Sequence, residues 1–447
     1  MKLFQQMLVA TAAVSLIAPI AAQASDFNIE GIDTYVRKKS TSRKQKQFNS
    51  NSFDNDLATL EEKVDSSGIE IKGFNAGSFS DTTVMDGKVI GWVGAVDGAK
   101  DIDYDEDQSL ADETQTDSVG TGYTFTMNLN TSFTGDDNLY VRLKGGDSFL
   151  GMGLKPGTYH IEKKDTNEDF NVDKIWYQFP VGDNVTVFAG PRIENYYMYV
   201  TPSVYKPGAL KAFKLGGNSN FGASTDFGFG AKWELDNGFA IAANAVDKNA
   251  DGIGWFQSSG NDNGTGDSVN KFDTQFAFTK SNYHISVTRS DQQNWTSQQY
   301  NATALAEDTA TDAVGYAYRA YWVPPEYGTL VPSVSLGYDT KDWENGVDGT
   351  PDEANSWMIG LNWKDSFRPD DVIGMAVTQP LKVTDLVGGD LAGGITGEVG
   401  DPLIWEAYYS WKVNDSMSLT PAIFGGNNTW EHDDDIFGAV LTSAWKF

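Results

Sequence analysis

Three histidines, His160, His284 and His432, are the only imidazoles in the 447 residues, and they are isolated from one another. No His-x-x-x-His pair exists, so the set lacks the spacing of a zinc site. Cysteine is absent, which removes thiol catalysis, disulfide frameworks and thiolate metal sites. There is neither a Gly-x-Ser-x-Gly nucleophile turn nor a glycine-rich phosphate loop. The run Asp247-Lys-Asn-Ala-Asp-Gly252 follows the first half of a calcium loop, but Ser258 stands where the closing glutamate belongs. Asp101-x-Asp103-x-Asp105 has Glu106 at the position that needs glycine. Both read as solvated acidic loops, and no catalytic residue, metal or cofactor is expected. What remains is electrostatic chemistry. Lysines and arginines recur at alternate positions of apolar runs, where a row of charges can attract or repel a passing ion.

The elements that would position such charges are strands. Tyr123, Phe125, Met127, Leu129, Thr131 and Phe133 alternate with Thr124, Thr126, Asn128, Asn130 and Ser132. Runs of the same kind fall at 227–235, 272–278, 314–322 and 403–412. Period two over about ten residues is strand, at the length a tilted strand needs to cross a bilayer. Short connections with turn residues fall at 135–138, 180–184, 236–238, 280–282, 324–328, 365–370 and 414–416. Long polar loops separate them near 97–120, 147–171, 192–220, 247–269, 291–311, 341–354, 379–402 and 426–435. The sum is about sixteen strands with short turns on one rim and long loops on the other, an all-β transmembrane antiparallel barrel. The unequal loops and lack of a fixed period argue against a soluble β-repeat protein. A mean hydropathy of -0.39 argues against a helical membrane protein. The net charge of -29 excludes a general nucleic-acid binder.

Before the barrel the composition shifts several times. Residues 1–24 read as a signal peptide, with an apolar stretch from Leu8 to Ala22 and an Ala22-Gln23-Ala24 cleavage box. A basic segment, 25–53, includes Arg37–Lys46, six cations in ten positions, which is expected to touch anionic cell-wall polymer on the periplasmic side. Residues 54–67 carry Leu57, Leu60 and Val64 at helical spacing, a short helix expected to pair with copies of itself. A linker, 68–81, leads to the barrel at 82–447.

Phe74-Asn-Ala-Gly-Ser-Phe-Ser-Asp-Thr-Thr83, Met85-Asp-Gly-Lys88, Val187-Phe-Ala-Gly-Pro-Arg192 and the terminal Ala444-Trp-Lys-Phe447 give the chain a family likeness. It resembles cyanobacterial outer-membrane porins, distant relatives of the carbohydrate-selective (OprB-like) porin family. The resemblance implies a homotrimer of sixteen-stranded barrels in outer-membrane lipid, carrying small solutes past an infolded third loop. It also implies that Phe447 is the signal read by the barrel-assembly machinery. The S-layer-homology domain usual at the N-terminus of such porins has no counterpart in Ser25–Gly73.

The expected function is therefore passive diffusion of small hydrophilic solutes or ions through a water-filled barrel. The third long loop, 192–220, is the expected constriction, with Arg192, Lys206, Lys211 and Lys214 against Glu194. Alternation turns Arg142, Lys144, Lys174, Lys232, Arg319, Lys364, Lys412 and Lys446 into the lumen, against Asp226, Glu234, Asp273 and Glu406. That balance predicts a lumen that favours anions. The competing reading is a barrel plugged by its loops, with a structural or adhesive role.

Overall fold

The computed structural model describes residues 82–97, 100–101, 114–115, 119–147, 169–217, 220–221, 225–248, 269–295, 312–328, 330–344, 346, 348–388, 402–427 and 435–447. The leader, the basic segment, the short helix and the linker lie outside the described residues, as do His160, His432 and most of both acidic half-motifs.

Strands occupy the alternating runs. The first is β1 (Thr83–Asp97); β2 (Lys100–Asp101) and β3 (Thr114–Gln115) form a small ladder inside the first long loop. Then follow β4 (Gly120–Thr131), β5 (Asn138–Asp147), β6 (Asn171–Val181), β7 (Val185–Glu194), β8 (Thr225–Glu234) and β9 (Phe239–Asp247). The set continues with β10 (Asn270–Thr279), β11 (Tyr283–Gln293), β12 (Ala313–Trp322), β13 (Ser333–Trp343) and β14 (Pro351–Lys364). It ends with β15 (Val372–Leu386), β16 (Leu403–Asn414), β17 (Met417–Asn427) and β18 (Ile436–Lys446). All except β2 and β3 make one closed antiparallel barrel, with β1 paired to both β4 and β18. The count is therefore sixteen, as expected. At the seam, the Gly87 N–H donates to the Phe447 carbonyl (2.9 Å) and the Phe447 N–H donates to Gly87 (3.0 Å). The Phe447 ring stacks on Phe125 at 5.8 Å.

The two faces of the barrel are inverted relative to a water-soluble protein. Outside stand Tyr123, Phe229, Trp233, Phe276, Ile285, Tyr318, Leu336, Met375 and Ile423, all exposed. Inside are Thr124, Thr126, Asn128, Gln275, Ser286, Thr288 and Ser290, all buried. A continuous apolar outer surface is stable against hydrocarbon and unstable against water, so this sheet is built to sit in lipid. No described helix is long and apolar enough to cross a membrane; the crossing is done by strands.

The short turns are fixed by carboxylates. Asp137 accepts from the backbone N–H of Phe133 (2.9 Å) and Thr134 (2.8 Å), and from the Tyr177 hydroxyl (2.6 Å) on β6. Burial opposes its charge, yet these bonds and those from Ser132 and Thr134 hold the Asp137 carboxyl well below the usual carboxylate range. Asp371 repeats the device: it accepts from the N–H of Ser366, Phe367 and Arg368, and from the Tyr409 hydroxyl on β16. Each turn is thereby tied to the strand beyond it, which stiffens the rim.

Candidate functional site

Between β7 and β8 the sequence Asn195–Phe221 changes character. It is rich in Tyr, Phe, Leu, Pro and Gly and has no acidic residue. An apolar loop does not stay in water, and this one folds into the barrel. It begins with a 3-10 turn, Asn195–Met198, and has a second, Lys211–Gly216, on its return.

Its path is marked by polar contacts with the inner wall. Tyr199 donates to Asp273 on β10, and the Val200 N–H donates to the Gln275 side chain (2.9 Å). Further on, the N–H groups of Val204 (3.1 Å) and Tyr205 (3.0 Å) share the Ser335 hydroxyl on β13. The tip reaches β16, where one carboxylate holds it. Glu406 accepts from the Tyr205 hydroxyl (2.7 Å) and from the N–H of Gly208 (2.9 Å), Ala209 (3.0 Å) and Leu210 (2.8 Å). On the way back Arg319 Nε donates to the Leu215 carbonyl (2.7 Å), and the Asn220 N–H donates to Asp339 (3.3 Å). Burial, with the Glu406 carboxylate beside it, pushes the Tyr205 phenol far above its ordinary value, so it stays a donor.

Apolar packing completes the attachment. Tyr205, Ala209, Leu210 and Phe213 share one buried cluster with Met358, Ile404, Tyr408 and Phe424, and Tyr197 and Met198 share another with Tyr140, Trp176 and Phe188. The wall makes room by being small at the contacts. A Cβ at Gly337 would overlap the Gly216 carbonyl oxygen, and one at Gly315 would overlap the Asn220 amide. Gly337→Ala is therefore expected to lift the returning limb of the loop, at about 1–3 kcal/mol for the misfit. The signs would be a lower melting temperature and a larger, noisier conductance; a variant native in both measurements would contradict this packing.

The sequence-predicted residues separate into three groups. Lys206, Lys211 and Lys214 are half-exposed in a loop whose other side chains are mostly buried. A second group is held in buried contacts. Lys174 is 2.5 Å from Glu194, Arg319 is 2.7 Å from Asp339, and Glu406 is the tip anchor; Arg142 is likewise buried, with its Nε donating to Asn128 (3.0 Å). These charges are spent on structure rather than presented to a solute. Asp273, which accepts from Asn195 (3.1 Å) as well as Tyr199, belongs with them, and Asp226 is partly buried beside Lys248. A third group sits on the rims. Lys232 pairs with Glu234 at 3.3 Å, Lys412 with Asp370 at 2.8 Å and Asp415 at 3.1 Å, and exposed Lys364 lies over the Tyr327 ring at 4.9 Å. Lys144 and Lys446 are half-exposed in their strands, with Lys446 directly across from Lys88.

Two expectations need correction. Arg192 and Glu194 are not in the loop: β7 runs to Glu194. An irregularity in the ladder between Gly190 and Ile193 turns Ile193 into the core, and exposed Arg192 pairs with Ile175, which alternates with inward Lys174 and Trp176. An insertion of this kind flips side-chain parity beyond it. Sequence reading missed Lys271, Lys341 and Lys88, all visible once the phases of β10, β13 and β1 are fixed. It also missed Asp339, Ser335 and Asn220 as anchors; these carried no signal, because only the fold brings them to the loop.

With this geometry in hand, the likenesses to known proteins fall into place. The family model described as carbohydrate-selective porin, OprB family, matches residues 39–424. An uncharacterized protein of Synechocystis sp. is 24% identical over 340 residues, covering 68% of this chain and 59% of that protein. This chain thus spans less than two thirds of that relative's length. An uncharacterized protein of Nostoc sp. is 24% identical over 432 residues, covering 88% of this chain and 70% of that protein. The solved structure of OprB from Pseudomonas putida superposes with a TM-score of 0.56 over 82% of this chain and 94% of that one, at 13% identity. That identity speaks to the fold alone, and the family match over most of the sequence does the rest: the chain belongs to the carbohydrate-selective porin, OprB family.

Proposed function

We propose that the protein is an outer-membrane diffusion channel for small hydrophilic solutes, narrowed by the infolded loop Asn195–Phe221 and favouring anions at that narrowing. The membership supports the channel and its outer-membrane location. One observation supports the selectivity: Lys206, Lys211 and Lys214 are half-exposed, and they are the charged residues of Asn195–Phe221. Charges at a confined passage act on a permeating ion more strongly than charges in an open, salt-screened vestibule. The acidic outer loops, such as the nine carboxylates of 97–117, weigh less for that reason. Sixteen strands leave room for water beside an infolded loop. The reading includes a homotrimer, as the family resemblance implies.

Purified, folded protein in a planar bilayer is expected to give stepwise conductance, closing in three equal steps under high voltage. Small sugars should slow the ion current as they pass. Folded protein with no conductance would return the plugged, structural barrel as the better reading. Single-step closure from particles of monomer mass would remove the trimer.

A further inference from the structure

Near the long-loop end of β13, Lys341 is only 3% exposed. Among the described residues no carboxylate lies within ion-pairing distance of its ammonium; the buried pairs nearby are Arg319 with Asp339 and Lys271 with Asp273. Its ammonium sits 4.8 Å from the centre of the Trp343 ring. Among the described residues, the charges that act on it are Lys271 and Lys248, both of its own sign. Lys271 donates to the Asn220 carbonyl and stands 3.6 Å from Asp273; Lys248 lies 4.2 Å from the Trp295 ring and is offset by Asp226.

Ladder register explains how the lysines meet. One row across the wall reads Lys271, Gln292, Ala313, Trp343, and the next reads Asp273, Ser290, Gly315, Lys341. Small residues at 313 and 315 leave the wall low between the two lysines, and Asn220 of the loop settles over Gly315. Lys271 and Lys341 therefore flank the returning limb of the loop. A buried ammonium with like-charged neighbours and no acid of its own is costly, and a bound anion relieves that cost.

We propose that Lys341, with Lys271 and Lys248, forms a binding site for a small oxyanion, a phosphate group or its equivalent, at the long-loop mouth of the barrel. The proposal rests on the channel reading, since the site precedes the three loop lysines on the way in. The oxygens of a phosphate spread strong acceptors over a wider span than one spherical chloride and carry more charge, so they reach separated ammonium groups together. An oxyanion is therefore retained where chloride passes.

Inorganic phosphate, titrated into the full-length barrel in detergent, is expected to raise its melting temperature. In a bilayer with KCl it should reduce the current in a saturable way. Lys341→Met is expected to weaken phosphate about tenfold or more, the size of one lost hydrogen bond to a charged group. Without phosphate, the same variant should melt no lower than the native protein, because it removes a buried charge that has no ion-pairing carboxylate among the described residues. Lys280→Gln, on a short turn at the other rim, should leave phosphate affinity unchanged. The site is overturned by equal affinities for native and Lys341→Met protein, by no phosphate binding in the native protein, or by a Lys341→Met barrel destabilised in phosphate-free buffer. Phosphate binding without conductance would overturn the channel reading alone. Conductance without phosphate binding would overturn this site alone.

Discussion

Glu406→Ala is expected to release the tip of the infolded loop and give a wider, noisier channel that admits larger sugars. Glu406 is 1% exposed and accepts four hydrogen bonds from the loop, three of them from consecutive backbone N–H groups. A methyl group there leaves those donors unpaired in a dry pocket, at about 1–3 kcal/mol for each one left unsatisfied. The loop has an alternative, which is to swing away and hydrate. The anchoring lost is therefore about 3–5 kcal/mol, enough to make the displaced loop the major state. The barrel itself should survive, since the β15–β16 and β16–β17 ladders do not involve this side chain. Glu406→Gln keeps one oxygen for two of the donors and should fall between native and alanine. Conductance and open-channel noise, with barrel folding checked by heat-resistant migration, give the answer. A folded alanine variant with native conductance and noise would show that Glu406 does not hold the loop.

The barrel was legible in the sequence because its signal is local and repeated. Side chains alternate on a strand by geometry, so Phe272, Phe276 and Phe278 mark the lipid side of β10 without any knowledge of its neighbours. Turn chemistry marked the short rim for the same reason: Asp236–Gly238 and Asn414–Ser416 can hardly be anything else. The infolded loop was legible only in part. Its composition, apolar and free of acid, says that it does not belong in solvent, but nothing in it names β10, β13 and β16 as its partners. Glu406 illustrates the gap. Alternation turned it correctly toward the interior, where it counted as one negative charge in a lumen. Only the folded loop shows that the charge is consumed by four hydrogen bonds. Lys174 and Arg319 changed meaning in the same way, through Glu194 and Asp339. Arg192 failed for a different reason: it was counted in the third loop, whereas β7 runs on through it to Glu194.

Those losses leave the anion preference resting on fewer residues than alternation alone suggested, and so make it sharper to test. Replacing Lys206, Lys211 and Lys214 together by glutamine is expected to abolish most of the preference. The three side chains are half-exposed on a loop whose neighbours are mostly buried, and four of the eight wall cations first placed in the lumen, Lys174, Arg319, Lys232 and Lys412, are engaged with acids. At about 8 Å, and an effective dielectric constant of about 40, one unit charge changes the energy of a passing ion by about 1 kcal/mol. That is a factor of about five in relative entry for each charge, before salt screening reduces it. Three such charges dominate the narrow part even against the acidic outer loops. In a planar bilayer with a KCl gradient, the native protein should reverse at a potential of the sign set by chloride. The triple variant should move most of the way to zero, or beyond it toward potassium as the outer carboxylates take over. The shift should shrink as total salt is raised, since screening acts on exposed charges first. A native protein that prefers potassium, or a triple variant that reverses where the native one does, would mean that these lysines do not line the passage.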